Sequence, residues 1–235
     1  MLTELDLLLR ALASPTRLRI LAILQRAGPT GPAGRTGPAG LVEVRQPRCL
    51  ASALGIARST VTFHLKILLR MRLVRYVKSE RYKFYFPARV HRGSIRSRLL
   101  VRLRDEIPAD LGPVPPHSSG KPGRKLTRPI AHADANRTAL KPVWQALTSF
   151  SHFRRLLMLE FLDRRGKASL RELMGASRLS AAWVKYHLDK LRRREVVSEG
   201  PEPDVYRLGS SPPTPLQGFL TRLLAGELAA DRSSR

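Results

Sequence analysis

Ser59 to Val74 reads STVTFHLKILLRMRLV, and its pattern decides the fold of the surrounding chain. Val61, Leu65, Leu68 and Leu69 recur at helical spacing, so Arg58 to Met71 is predicted as an amphipathic helix opened by Ser59 and Thr60. Arg58, Ser59, Thr60, Thr62 and Lys66 occupy its polar face. Immediately downstream, Leu73 to Val77 and Tyr82 to Phe86 alternate as two strands around the turn Lys78-Ser79-Glu80-Arg81. Upstream, Arg48 to Leu54 is a short helix stopped by Gly55. Thr16 to Ala27 is a helix with Ser14 at its cap and Pro15 at its first position. Leu2 to Ala13 is an apolar helix, and His91 to Glu106 an arginine-rich one.

The pattern occurs twice. SPTRLRILAILQRAG (Ser14 to Gly28) matches HFRRLLMLEFLDRRG (His152 to Gly166): Arg17 aligns with Arg155, Leu21 with Leu159, Leu24 with Leu162 and Gly28 with Gly166. The opening stretch matches AAWVKYHLDKLRRREVV (Ala181 to Val197), with Val61 on Val184, His64 on His187, Leu65 on Leu188 and Leu68 on Leu191. The first copy carries an insert, GPTGPAGRTGPAG (Gly28 to Gly40), where the second has a short Lys167-Ala168 joint. Its glycines at 28, 31, 34, 37 and 40 imitate collagen, but four triplets in one chain are too few for a triple helix, so an extended loop is expected. The second copy repeats helices near 138–149, 152–164, 169–176 and 180–194, then a hairpin over 196–208 and a terminal helix over 216–229. Residues 107–136 are rich in Pro, Gly and Ser without apolar periodicity and read as a linker. The expected domains are therefore 1–106 and 137–235, mainly α-helical with small β-hairpin wings.

Three phrases carry a resemblance: LRALASPTRLRIL (Leu9 to Leu21), LASALGIARSTVTFHLKIL (Leu50 to Leu68) and LVRYVKSERYKFYF (Leu73 to Phe86). Together they resemble the ArsR-type bacterial transcriptional regulators, whose reading helix carries a similar S-x-V-S-x-H-L-x-x-L phrase. The resemblance covers Leu2 to about Phe86 and, more weakly, about Phe150 to Leu208. It implies two winged helix-turn-helix domains in tandem and a DNA-binding transcription regulator, commonly a repressor. It also implies pairing of two such domains on double-stranded DNA, either as a homodimer or as a pseudo-dimer within one chain. In that fold the second helix of the motif enters the major groove. Arg58, Ser59, Thr60, Thr62 and Lys66 then face bases and phosphates, while Arg75, Lys78, Arg81 and Lys83 of the wing meet phosphate or the minor groove. Lys185 and Arg192 are the corresponding candidates in the second copy. Tyr76, Tyr82 and Tyr85 are expected to pack the hairpin, and His64 and His187 to pack beside core leucines.

The charge agrees with a polyanionic partner. The 235 residues hold 43 Lys and Arg against 18 Asp and Glu, net +25, with a pI near 11.6. Arg58 to Arg72 carries four positive groups and no acid, a self-repelling face unless an anion meets it. The copies differ in charge. Residues 1–106 have 21 basic and 6 acidic groups, net +15, whereas residues 138–235 have 17 and 10, net +7. The wing from Arg75 to Lys83 is net +3, and its counterpart from Glu195 to Arg207 is net −3. An acidic wing is repelled by phosphates, so the first copy is expected to be the main reader.

Several classes are disfavoured. One cysteine, Cys49, allows no disulfide framework within the chain and is expected in the core. His91, His117 and His132 are scattered, so no metal site is expected. No P-loop, Gly-rich dinucleotide turn or HExxH phrase occurs, which implies neither a cofactor nor an enzyme. No uncharged run reaches the roughly 18–20 residues of a membrane span. Glu4 and Asp6 stand where a signal peptide carries positive charge, and a cytoplasmic, nucleoid-associated protein is expected. The competing classes are a winged-helix protein coating RNA or DNA without sequence preference, and a protein-interaction module.

Overall fold

A computed structural model describes residues 2–27, 45–79, 82–89, 93–108, 138–210 and 212–232. The insert at 28–40, nearly all of the 107–136 linker, and Arg81, His91, His117 and His132 lie outside the described residues. The described residues form ten helices and two small antiparallel sheets. They fall into two compact units, Ser14–Lys141 and Met1–Ala13 with Pro142–Arg235.

In the first unit, α2 (Pro15–Arg26) starts after Ser14 and Pro15 as the sequence predicts, but the Ser14 side chain makes no capping hydrogen bond. Its buried face is Leu18, Ile20, Leu21, Ala22 and Leu24. Helix α3 (Pro47–Leu54) ends at Gly55, whose φ of 62° gives the left-handed turn that lets α4 (Arg58–Arg70) leave at an angle. Ser59 and Thr60 are not the cap of α4: Ala57 is, and both hydroxyl residues lie exposed in the first turn. Val61, Leu65 and Leu68 are fully buried and pack α4 on α2 and α3, with Cys49 buried in α3. Leu69, at the edge of that stripe, is half-buried. Strands β1 (Val74–Ser79) and β2 (Tyr82–Pro87) pair from Val74↔Pro87 to Ser79↔Tyr82. The amide of Tyr85 also donates to the carbonyl of Arg45 at 3.0 Å, tying the hairpin back to the entry of α3. Arg45 itself is buried. Its guanidinium donates to the Ala27 carbonyl at the end of α2 and stacks 4.3 Å from the centre of the Phe86 ring. Helix α5 (Ile95–Glu106) follows, capped by Ser94, which accepts from the Ser97 amide at 3.2 Å.

The second unit contains α1 (Leu2–Leu12), α6 (Lys141–Phe150), α7 (Phe153–Arg165), β3 (Lys167–Ser169), α8 (Leu170–Ser177), α9 (Ala181–Arg192), β4 (Val197–Glu199), β5 (Val205–Leu208) and α10 (Pro215–Arg232). Helix α1, grouped with 1–106 by sequence, clusters here instead. It buries Leu5, Leu8, Leu9 and Leu12, a stripe at helical spacing, and packs against α7. The Lys167-Ala168 joint is a strand: β3 pairs with β5, giving the sheet order β3-β5-β4. Three residues offer no alternation to read, so this strand carries no signal in the sequence. A capping box opens α8, where Ser169 and Glu172 exchange bonds with each other's backbone amides at 3.3 and 2.8 Å. Phe150, Leu156, Leu162, Leu191, Leu216 and Leu220 are buried to zero exposure and form the core.

Candidate nucleic-acid interface

Helix α4 presents a clean division. Its buried face fixes its rotation, and its first turn therefore stands in solvent. Arg58, Ser59, Thr60 and Lys66 are all exposed. Thr62 is half-buried, and its hydroxyl donates to the Arg58 carbonyl at 2.9 Å, so its oxygen is left as an acceptor. Neither Arg58 nor Lys66 has an ion-pair partner among the described residues, and Ile67 and Leu68 follow on the core side. The exposed cations Arg58 and Lys66 are thus open to an external acceptor.

The wing divides its basic residues. Lys78 and Lys83 face each other across the β1–β2 register near the tip and are exposed. The Lys83 ammonium sits 4.9 Å from the centre of the Tyr76 ring. Arg75 lies instead at the base of the hairpin, half-buried, with its guanidinium 4.7 Å from the Phe86 ring centre. Burial holds its pKa below the ordinary arginine value, with Arg89 adding like-charge repulsion. Tyr85 is buried, while Tyr76 and Tyr82 stay partly open.

Sequence reasoning did not single out Phe63. It is 60% exposed on α4 between Thr62 and Lys66, its ring edge-on to His64 at 5.5 Å. A large apolar side chain at a solvent position of a helix is the signal that marks it, and such a group suits the methyl of thymine. His64 is half-buried, and its pKa is lowered by burial and then by Arg17.

The corresponding helix of the second unit differs in chemistry. Trp183 and Tyr186 are 57% and 47% exposed and meet edge to face at 5.6 Å. Lys185 pairs with Asp204 at 3.4 Å, and Arg192 pairs with Glu199 at 2.9 Å. Lys167 pairs with Glu202 at 3.2 Å, and Arg193 with Asp189 at 2.9 Å. Lys185 and Arg192 of α9 are therefore paired with carboxylates of the acidic wing, while Lys190 bonds the Tyr186 hydroxyl instead. Behind this surface, His187 is buried with its ring 4.6 Å from that of His152. Burial, then the neighbouring His152 and Arg155, push its pKa down to about 4. Arg155 is desolvated to a pKa of about 10 and donates to the Thr148 carbonyl at 2.8 Å.

Among the described residues no group of three or more His, Cys, Asp or Glu could hold a metal ion. No helix among them is long and apolar enough to cross a membrane.

Residues 45–76 match the family model described as bacterial regulatory protein, arsR family. The match spans α3, the turn, α4 and the start of β1, and so contains the whole exposed reading turn. No curated protein matches the chain. The chain therefore carries a stretch similar to the arsR-type helix-turn-helix, within a mainly helical fold with small antiparallel sheets. That similarity supports DNA binding in transcription regulation.

Proposed function

We propose that the protein is a sequence-specific DNA-binding transcriptional repressor of the ArsR type, with two winged helix-turn-helix copies joined by residues 107–136. The observation that carries the reading is the exposed, acid-free first turn of α4 together with the exposed basic residues near the wing tip. Arg58 reads guanine through its planar fork, and Ser59, Thr60 and Thr62 bond base edges or phosphates. Lys66, Lys78, Lys83 and Arg81 neutralise phosphates, while Arg75 positions the wing from its base. The order helix, short helix, helix, hairpin recurs in both units, and the Arg17–His64 neighbourhood has its counterpart in Arg155 and His187. Both support a duplication.

The second copy is the weaker reader, with Lys185 and Arg192 contributing little while they are held by wing carboxylates. A protein-contact role for this copy is favoured by the exposed Trp183 and Tyr186. Two reading helices on successive major grooves require pairing, either within one chain or between two.

Selection of duplexes from a random pool tests the reading. An enriched motif with dyad or direct-repeat symmetry is expected. Retention of all sequences alike, with a steep salt dependence, indicates a coating protein instead. No retention at low salt indicates a protein-interaction module.

A further inference from the structure

At the joint between α4, the base of the wing and the start of α5 lies a cavity of about 360 Å³. Arg72, Arg75, Arg89 and Arg96 line it, together with Ser94 and Ser97. No carboxylate is among its described lining residues. Four guanidinium groups around so small a volume repel one another, and the half-burial of Arg75 adds a desolvation cost, while Arg72 and Arg89 stay exposed. The depression of the Arg75 pKa reflects both effects.

The local structure gathers donors around this space. Arg72 occupies the left-handed region at φ 52°, the single residue that turns α4 toward Leu73 and β1. The Arg75 guanidinium carbon sits 4.7 Å from the centre of the Phe86 ring, and its Nε is buried without a hydrogen-bond partner among the described residues. Ser94 and Ser97 place the N-terminus of the twelve-residue α5 at the cavity, where the first-turn amides and the helix dipole favour negative charge.

We infer that this cavity is a binding site for a small phosphorylated molecule, its phosphate or diphosphate group held by Arg72, Arg75, Arg89 and Arg96. Arginine forks match phosphate oxygens bidentately. The volume falls at the lower end of ligand pockets, which are roughly 300–1,000 Å³, so the occupant is a compact metabolite. DNA is a second source of phosphate, but the geometry disfavours it. Arg72 follows the opposite end of α4 from Arg58, about 20 Å away at 1.5 Å per residue. Arg75 is four residues from the wing tip at Ser79, about 13 Å along the strand. The site stands independently of the DNA-reading proposal, because binding is measured without DNA.

The test is calorimetric titration of the full chain with sodium pyrophosphate at fixed ionic strength. Saturable binding of one pyrophosphate per chain is expected. The variant Arg72→Gln/Arg89→Gln changes two exposed lining residues and should weaken binding at least tenfold. Arg58→Gln/Lys66→Gln, on the reading face, should leave it within twofold. Circular dichroism checks folding, and Arg89→Gln alone, expected to weaken binding several-fold, carries the test if the double variant does not fold. Non-saturating uptake, or equal weakening by both double variants, would show general attraction to a basic chain and overturn the site. Absence of pyrophosphate binding together with a shallower salt dependence of duplex binding in Arg72→Gln/Arg89→Gln would assign the pocket to DNA phosphate and likewise overturn it.

Discussion

Replacing Arg58 and Lys66 together by alanine removes two exposed cations that no acid among the described residues neutralises. Lys66 at a phosphate contributes about 0.9 to the slope of log affinity against log salt, while Arg58 at a guanine edge contributes affinity for the selected sequence without adding to that slope. The double variant should then flatten the slope by about 0.9. Over a fourfold rise in salt, from about 50 to 200 mM, the wild type should lose roughly 3.5-fold more affinity than the variant. Lys185→Ala/Arg192→Ala removes as many charges, but these are paired with Asp204 and Glu199 at 3.4 and 2.9 Å. Removing them should change the slope by less than about 0.5, because a cation already paired in the free protein releases little counterion on binding. Fluorescence anisotropy with a selected duplex across that salt range measures both slopes. Equal flattening by the two double variants would refute the division of labour between the copies. No flattening by Arg58→Ala/Lys66→Ala would refute the reading turn itself.

Other outcomes follow from packing and titration. Leu65→Ala empties a fully buried site on the core face of α4 and should cost about 3 kcal/mol, read by urea denaturation. Its effect on DNA affinity below the unfolding midpoint, where the variant is folded, should be small, because the exposed face of α4 is untouched. Ser169→Ala removes half of the capping box on α8 and should cost about 1 kcal/mol in the same assay. His187 has a folded pKa of about 4 against an ordinary 6.5, so between those values the unfolded chain takes up a proton that the folded chain refuses. Stability should therefore rise with pH across that window, by at most about 3 kcal/mol, and level off above it. His187→Gln should remove most of this dependence, and an unchanged slope in the variant would show that another group titrates.

Much of the fold is legible because its helices depend on spacing. Leu18, Leu21, Leu65 and Leu68 repeat at intervals that leave one burial direction, and Gly55 marks the turn between α3 and α4. What the spacing does not carry is the partner of each buried face. The stripe of α1 is plain in the sequence, but nothing in it says that α7 covers it. The same limit applies to the site. Arg58 and Lys66 are read correctly as helix-surface residues because the helix has one wet face. Arg75 sits in a strand whose basic residues look alike in sequence, yet it stacks on Phe86 at the wing base while Lys78 and Lys83 stand at the tip. The cavity arginines are spread from position 72 to position 96, and only the closing of the hairpin brings them together.

The two units differ in what their hairpins do to the helices that precede them. The Lys185–Asp204 and Arg192–Glu199 pairs are half exposed, and pairs of that kind contribute about 0–1 kcal/mol to stability. Their consequence is electrostatic. They join Lys185, in the second turn of α9, and Arg192, at its end, to the wing and offset the charges that a phosphate backbone would otherwise attract. In the first unit the start of α4 has Arg58 without an acid, and the wing tip offers Lys78 and Lys83. A polyanion approaching either unit meets similar helices, but the second unit presents it with carboxylates at the wing and with Trp183 and Tyr186 on the helix. The net charge of +25 is therefore not a general property of the surface, and its effect on DNA depends on which helix lacks acids within reach.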